Sequence, residues 1–429
     1  MTVAVPSRAA SSLVSDLLAS PRPGGWSDLR ATAESRAEAL GVPTTRLEDW
    51  KYLDLSPLTK LSFEPAQATA VDIRERILPE ARGGRLVFVN GHADPHHSCV
   101  SGLPAGVRMM PLSQASEAAS ALGTILDTET MDVFAALNTA RFTEGAFIFV
   151  PRGVKVESPL HLLFLTQAEG HPVLTLPRIL VVLERGAELE LIEEHAGEGA
   201  CLNAPVVEVK LGANAQLRHE RVQRHSREAF HLGSLAADLE GDARYYSRTI
   251  SFGGRISREA PHARLAKGSE LVLDGLALLD GQQVSDTHSL IRHAEPHAQS
   301  RQLHKAIVDG SARAIFNGRV IVAPGASGTD AQQQSRNLLL SDHARVDTKP
   351  QLEIENDDVK CAHGAAIGQL DADELFYLQS RGLNLETAKN LLTYGFASDL
   401  LGRIPVASLR RSLRQQVLAR THAALGELA

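Results

Sequence analysis

Between residues 141 and 368 the chain is written in short aliphatic runs separated by glycine turns, and that spacing restricts the fold more than any other feature. Ala146–Val150, Ile179–Leu183, Val206–Leu211, Tyr245–Ile250, Leu271–Leu279, Ala306–Val308 and Arg319–Val322 have the length and composition of strands. The turn glycines Gly153, Gly186, Gly212, Gly241, Gly268, Gly281, Gly310 and Gly325 fall at intervals of 33, 26, 29, 27, 13, 29 and 15, several close to 14 or twice 14. An imperfect period of this kind marks stacked β units, each burying an aliphatic stripe against the next. Glu188-Leu189-Glu190-Leu191-Ile192 shows the alternation such a unit needs, aliphatic side chains inward and charged ones outward. A β-solenoid explains the period best, although a two-sheet sandwich has similar strand and turn spacing.

The flanks have a different texture. In residues 1–140, Ser11–Ala19 and Ser27–Leu40 predict helices, the second stopped by Gly41-Val42-Pro43. Arg85–Asn90 predicts a buried strand, and Leu112–Leu137 a further helix. Residues 369–429 are helical in pattern. Asp371 with Glu374 forms a capping-box variant, Gly382 ends that helix, and Asn384 caps the next. Ala388, Leu391, Leu392, Phe396 and Leu400 form an apolar stripe with a break risk at Gly395. Val406, Leu409, Leu413 and Val417 form another. Leu375, Phe376, Tyr377 and Leu378 are consecutive, so the apolar surface is wider than one face can bury. Capping of the open solenoid end and docking of a partner helix are both open readings.

Composition excludes several functions. The formal charge is −7, from 44 basic and 51 acidic residues, which argues against a nucleic-acid surface. Met1–Gly25 has no charged segment leading into an apolar one, so a signal peptide is not expected. Leu160–Leu165 and Ile179–Leu183 are far too short to span a membrane. Cys99, Cys201 and Cys361 are too few and too scattered for a disulfide framework, and a reducing cytosol is the natural compartment. P-loop, dinucleotide, zincin, serine-elbow and dithiol motifs are all absent, which points to a scaffold or a subunit with shared chemistry.

Three polar groupings could carry chemistry. Cys361-Ala362-His363 sets a thiol and an imidazole two residues apart, on one face of a strand. These are ligand types for iron, zinc or an Fe–S cluster, but two ligands complete no site. Inert core residues would show the same spacing. The loop Gly91–Cys99 brings His92, Asp94, His96, His97 and Cys99 together, either as a zinc loop or as a His-rich turn. Asp286, His288, His293, His297 and His304 are metal ligands, proton carriers or polar lining of a solvated sheet face.

Three segments resemble the SufB/SufD family of Fe–S cluster assembly proteins, and its SufD branch more than its SufB branch. They are Glu48-Asp49-Trp50-Lys51-Tyr52, Ala314–Arg319 (AIFNGR) and the 46-residue run Asn337–Gly382. The context VKCAHGA and the low cysteine count favour the SufD branch. The resemblance implies a right-handed parallel β-helix over 141–368, flanked by helical regions 1–140 and 369–429. It implies pairing with SufB through the β-helices, and docking of the SufC ATPase on the C-terminal helices. Cys361 and His363 fall on the family's Cys-x-His at the SufB–SufD interface, as ligands to nascent cluster or iron shared with SufB. Leu375, Phe376, Leu391, Leu392, Phe396 and Leu400 fall in the SufC-docking region. A non-catalytic scaffold without a nucleotide site of its own, and cytoplasmic, is the expectation. Its rivals are a β-helix enzyme acting on polysaccharide and a purely structural subunit with Cys361 and His363 inert.

Overall fold

Residues with alternating burial cannot lie flat on one another indefinitely without closing around a core, and here the chain closes by coiling. The computed structural model describes residues 8–126 and 130–420. Part of the leading stretch Met1–Gly25 and part of the segment Leu112–Leu137 therefore lie outside the described residues. Two sheets face one another, and from Val206–Leu211 onward successive strands alternate between them. The first sheet runs from Arg345–Ile354 at one end to Arg108–Pro111 at the other. The second runs from Val359–Gly368 to Arg85–Val89 and the short His92–Ala93 strand. Strands of successive coils pair in parallel. This is a parallel β-solenoid of about eight turns, not a sandwich of antiparallel hairpins.

Register explains the period. Val206 pairs with Ser234 and Leu217 with Tyr245, each 28 residues on, while Arg313 pairs with Arg345, 32 on. One coil holds two strands, so the interval near 14 is half a coil and that near 28 a whole one. Gly153, Gly186, Gly268, Gly281 and Gly310 take φ between 59° and 69°, which glycine adopts at no steric cost. At the corners of Gly212 and Gly241 the left-handed residue is instead Asn214 (φ 60°) or Asp242 (φ 59°), side chains that tolerate it.

The lumen between the sheets is filled on one side by aliphatic stripes, among them Leu191, Leu217, Val209, Leu235 and Val320. Both outer faces are covered as well, which is why so many strands read as continuously apolar. Helices α1 (Arg8–Leu18), α2 (Ser27–Leu40) and α3 (Val133–Arg141) pack with Trp50 on Val206, Phe230 and Ile256 of the first sheet. Helices α4 (Ala372–Ser380), α5 (Leu385–Gly402) and α6 (Ala407–Arg420) follow the solenoid. Leu400, Leu401, Leu409, Leu413 and Val417 cover Val222, Ile250, Leu276 and Ile307 of the second sheet.

The expected caps are present. Asp371 accepts from Asp373 N and Glu374 N, Asn384 accepts from Thr387 N, and α5 runs through Gly395 unbroken. The expected helix over Leu112–Leu137 is not formed as such. Short 3₁₀ turns occupy Leu112–Gln114 and Ser116–Ser120, and α3 begins only at Val133, capped by Asp132. The cause is Gly123, left-handed at φ 79°, whose N–H is drawn to the buried carboxylate of Glu208 at 2.9 Å. That long-range bond outweighs helix propensity.

Candidate functional site

The last coil leaves two strands unpaired on their outer side. Val359–Gly368 ends the second sheet and Arg345–Ile354 the first. Cys361 pairs in register with Ala331, and His363 with Gln333. Ala331 and Gln333 are each 1% exposed and face the lumen, so Cys361 and His363 share the lumen-side face of the terminal strand. Cys361 is half-buried, packed on the end of the aliphatic stripe, and this burial pushes its thiol above the usual range. His363 is exposed, in a shallow depression with Gln332, Gln334 and Arg336 of the neighbouring strand.

Thiol and imidazole stand about 6.6 Å apart along the strand at ~3.3 Å per residue. Among the described residues no group of three or more His, Cys, Asp or Glu side chains is arranged to hold a metal ion. The pair can contribute ligands to a site completed from outside, and no more.

The C-terminal apolar residues divide sharply. Phe376 is 73% exposed, Tyr377 is exposed, and Leu375, Leu391 and Leu392 are half-buried. Phe396 lies partly covered, its ring 4.7 Å from Lys305 Nζ, which also bonds Asp399. Leu400 is 1% exposed. It belongs to the intrachain core against the solenoid, so the expectation that it faces a partner is corrected: the α5 stripe is used by the chain itself at this position.

The other polar groupings do not converge. In the Gly91–Cys99 loop, Asp94 accepts from His96 N and His97 N and takes the His97 Nδ1 at 2.7 Å, while His92 Nε2 meets Ala66 O and Cys99 lies beside Ser101. The carboxylate is thus occupied in holding the turn. Asp286 pairs with Arg258, His288 approaches Asp49 at 3.6 Å, and His293 bonds Ser300 at 2.9 Å. His297 sits left-handed in a turn, and the His304 ring packs at a tilt against Phe316 in the lumen. These residues are spread over separate environments.

Sequence reasoning missed the polar half of the lumen. Glu193, His195, His219, Arg221, His231 and Glu259 are all buried between the sheets. The signal was available: the alternation that sends Leu189 and Leu191 inward sends Glu193 and His195 inward too.

Two family models match the chain. One, the SUF system FeS cluster assembly SufBD core domain, covers residues 164–396, and the other, the SufBD protein N-terminal region, covers 15–162. The iron-sulfur cluster assembly SufBD family protein slr0076 of Synechocystis is 40% identical, over 89% of this chain and 88% of its own length. The iron-sulfur cluster assembly protein SufD of Escherichia coli is 34% identical, over 89% and 88%. The chloroplastic protein ABCI7 of Arabidopsis thaliana is 33% identical, over 95% and 89%. Fold and similarity over most of the chain lead to one assignment: the chain belongs to the SufB/SufD family of iron–sulfur cluster assembly proteins, on its SufD side.

Proposed function

We propose that this chain is the SufD-like scaffold of a SufB–SufC–SufD assembly, and that Cys361 and His363 lend ligands to a nascent Fe–S cluster or iron shared with SufB. One observation carries the reading: a thiol and an imidazole stand on the same face of an unpaired terminal strand, with no third ligand grouped with them among the described residues. An incomplete ligand set at an open sheet edge suits a site closed by a second solenoid. The raised thiol of Cys361 favours the proton at neutral pH, so cluster binding there releases that proton and tightens as pH rises. Imidazole is a neutral, more labile ligand than thiolate, which suits a cluster that must be passed on.

SufC docking is assigned to the exposed side of α4 and the start of α5, with Leu375, Phe376, Leu391 and Leu392 as anchors and Phe396 at the margin. Leu400 supports that surface from behind. Residues 1–140, 141–368 and 369–429 then serve as sheet cover, cluster scaffold and ATPase dock. Two SufC copies closing on ATP would turn the paired solenoids against each other and reshape the shared edge.

The test is His363→Ala in the complex co-expressed with SufB and SufC and purified without oxygen. His363 is exposed and unburdened by the fold, so assembly should be intact while bound iron and sulfide fall several-fold. Unchanged iron and sulfide content would remove His363 from the ligand set.

A further inference from the structure

The polar half of the lumen is built around an unbalanced charge. Glu193 takes His195 Nε2 at 2.8 Å and lies 3.0 Å from His219 Nε2. Glu259 takes His231 Nε2 at 2.9 Å. Between the two carboxylates lies one guanidinium, Arg221, 2.8 Å from Glu259 and 3.6 Å from Glu193. The remaining titratable side chains facing this group are Tyr245, whose hydroxyl meets His219 Nδ1 at 3.0 Å, and His225, whose Nδ1 meets the Gln223 amide. The preceding strand of the same sheet, Leu160–Gln167, faces the lumen here with apolar side chains, Leu162 in register with Glu193 and the Phe164 ring stacked on His195. With its imidazoles neutral the group holds two negative charges and one positive. A net charge sealed from water is costly, and coupled groups of this kind titrate as one unit.

A second observation concerns access. By register, Arg221 is followed up the second sheet by Thr249, Gly275, His304 and Ser335, one per coil. The adjacent inward row is Gln302, Gln333 and His363. His304 Nε2, Gln302 Nε2 and both amide atoms of Gln333 are buried without a protein partner. A cavity of about 40 Å³, lined by Thr249, Glu259, Thr287, His304 and Ser335, joins Glu259 to the first of these rows, and the depression at His363 is lined by Ser335 and Gln333. One water needs roughly 10–15 Å³ and two or more polar partners, and both conditions are met here. Gly275 keeps the space open, since a Cβ there would stand 2.5 Å from His304 Nδ1.

We propose that the Glu193–Arg221–Glu259 group binds one proton beyond its ionised carboxylates and neutral imidazoles, and that a file of water along the polar rows connects it to the open end at His363. The proton stays within the group, on one of the two carboxylates or on an imidazole bonded to one of them. It neutralises the interior, and its loss as pH rises leaves a bare charge in the lumen. The inference is independent of metal binding at Cys361 and His363, and is tested on the full chain after chelation.

The experiment combines nitrogen NMR of histidine-labelled protein with infrared spectroscopy at pH 7.5. The expected result is one lumen ring protonated on both nitrogens, or one protonated carboxyl band, lost in Glu193→Gln, where one carboxylate and one guanidinium already balance. Should that variant fail to fold, Glu259→Gln makes the same subtraction. Neutral rings with no protonated carboxyl in the wild type, or a signal that survives both substitutions, would overturn the proton site. For the path, His304→Leu should slow N–H to N–D exchange of the lumen rings at least tenfold, and an unchanged rate would overturn the water file.

Discussion

Replacing Leu400 by alanine separates the two roles that an apolar C-terminal stripe can play. The side chain is 1% exposed, packed with Leu401, Leu409 and Leu413 on Ile250 and Leu276. The change removes three carbons, worth about 2.4 kcal/mol at ~0.8 kcal/mol each. The cavity left behind adds to this, and buried Leu→Ala changes fall at ~2–5 kcal/mol, so about 3 kcal/mol is expected. At ~1.4 kcal/mol per factor of ten, opening of α5 and α6 from the sheet becomes more than a hundredfold more frequent. Amide hydrogen exchange on α5 and α6 reads this directly, because protection there reports local opening. Phe376→Ala, at 73% exposure, should change protection by no more than ~0.5 kcal/mol. If the proposed SufC docking holds, the order should reverse in the co-expressed complex, with Phe376→Ala weakening SufC retention and Leu400→Ala acting only through the fold. Wild-type protection in Leu400→Ala, or a comparable loss in Phe376→Ala, would refute the division of this surface into a core side and a docking side.

Other outcomes follow from paired charges. Arg178 is fully buried, bonded to Glu208 and to Thr139 Oγ1 at 2.7 Å, so Arg178→Met strands a buried carboxylate and should cost ~3–5 kcal/mol in urea unfolding; a loss below ~1 kcal/mol would show that Gly123 and Ile125 N–H groups suffice to hold Glu208. Glu34 is held down to about 2 by hydrogen bonds from Arg141 and Arg22. A carboxylate depressed in the native state stabilises it above the unfolded pKa of ~4.3 and loses that contribution as pH falls toward 2, so Glu34→Gln should flatten stability against pH between those limits; an unaltered acid limb would place the acid sensitivity elsewhere.

What the sequence alone determined is the repeat and the ends. A coil of about 28 residues repeats the same covalent spacing at every turn, so the corners at Gly153, Gly186, Gly268 and Gly310, the strands between them and the caps Asp371 and Asn384 are local and legible. Cys361 and His363 share a face because alternation is local too. The tertiary structure decided everything that depends on a neighbour far along the chain. Glu208 captures Gly123 from 85 residues away and interrupts an expected helix. Leu400 turns inward because Ile250 and Leu276 lie beneath α5. Glu193 and Glu259 meet Arg221 only after the coils stack. Alternation tells which side of a strand a residue is on, but only the stacking of coils tells what stands opposite, and a buried charge is settled by what stands opposite.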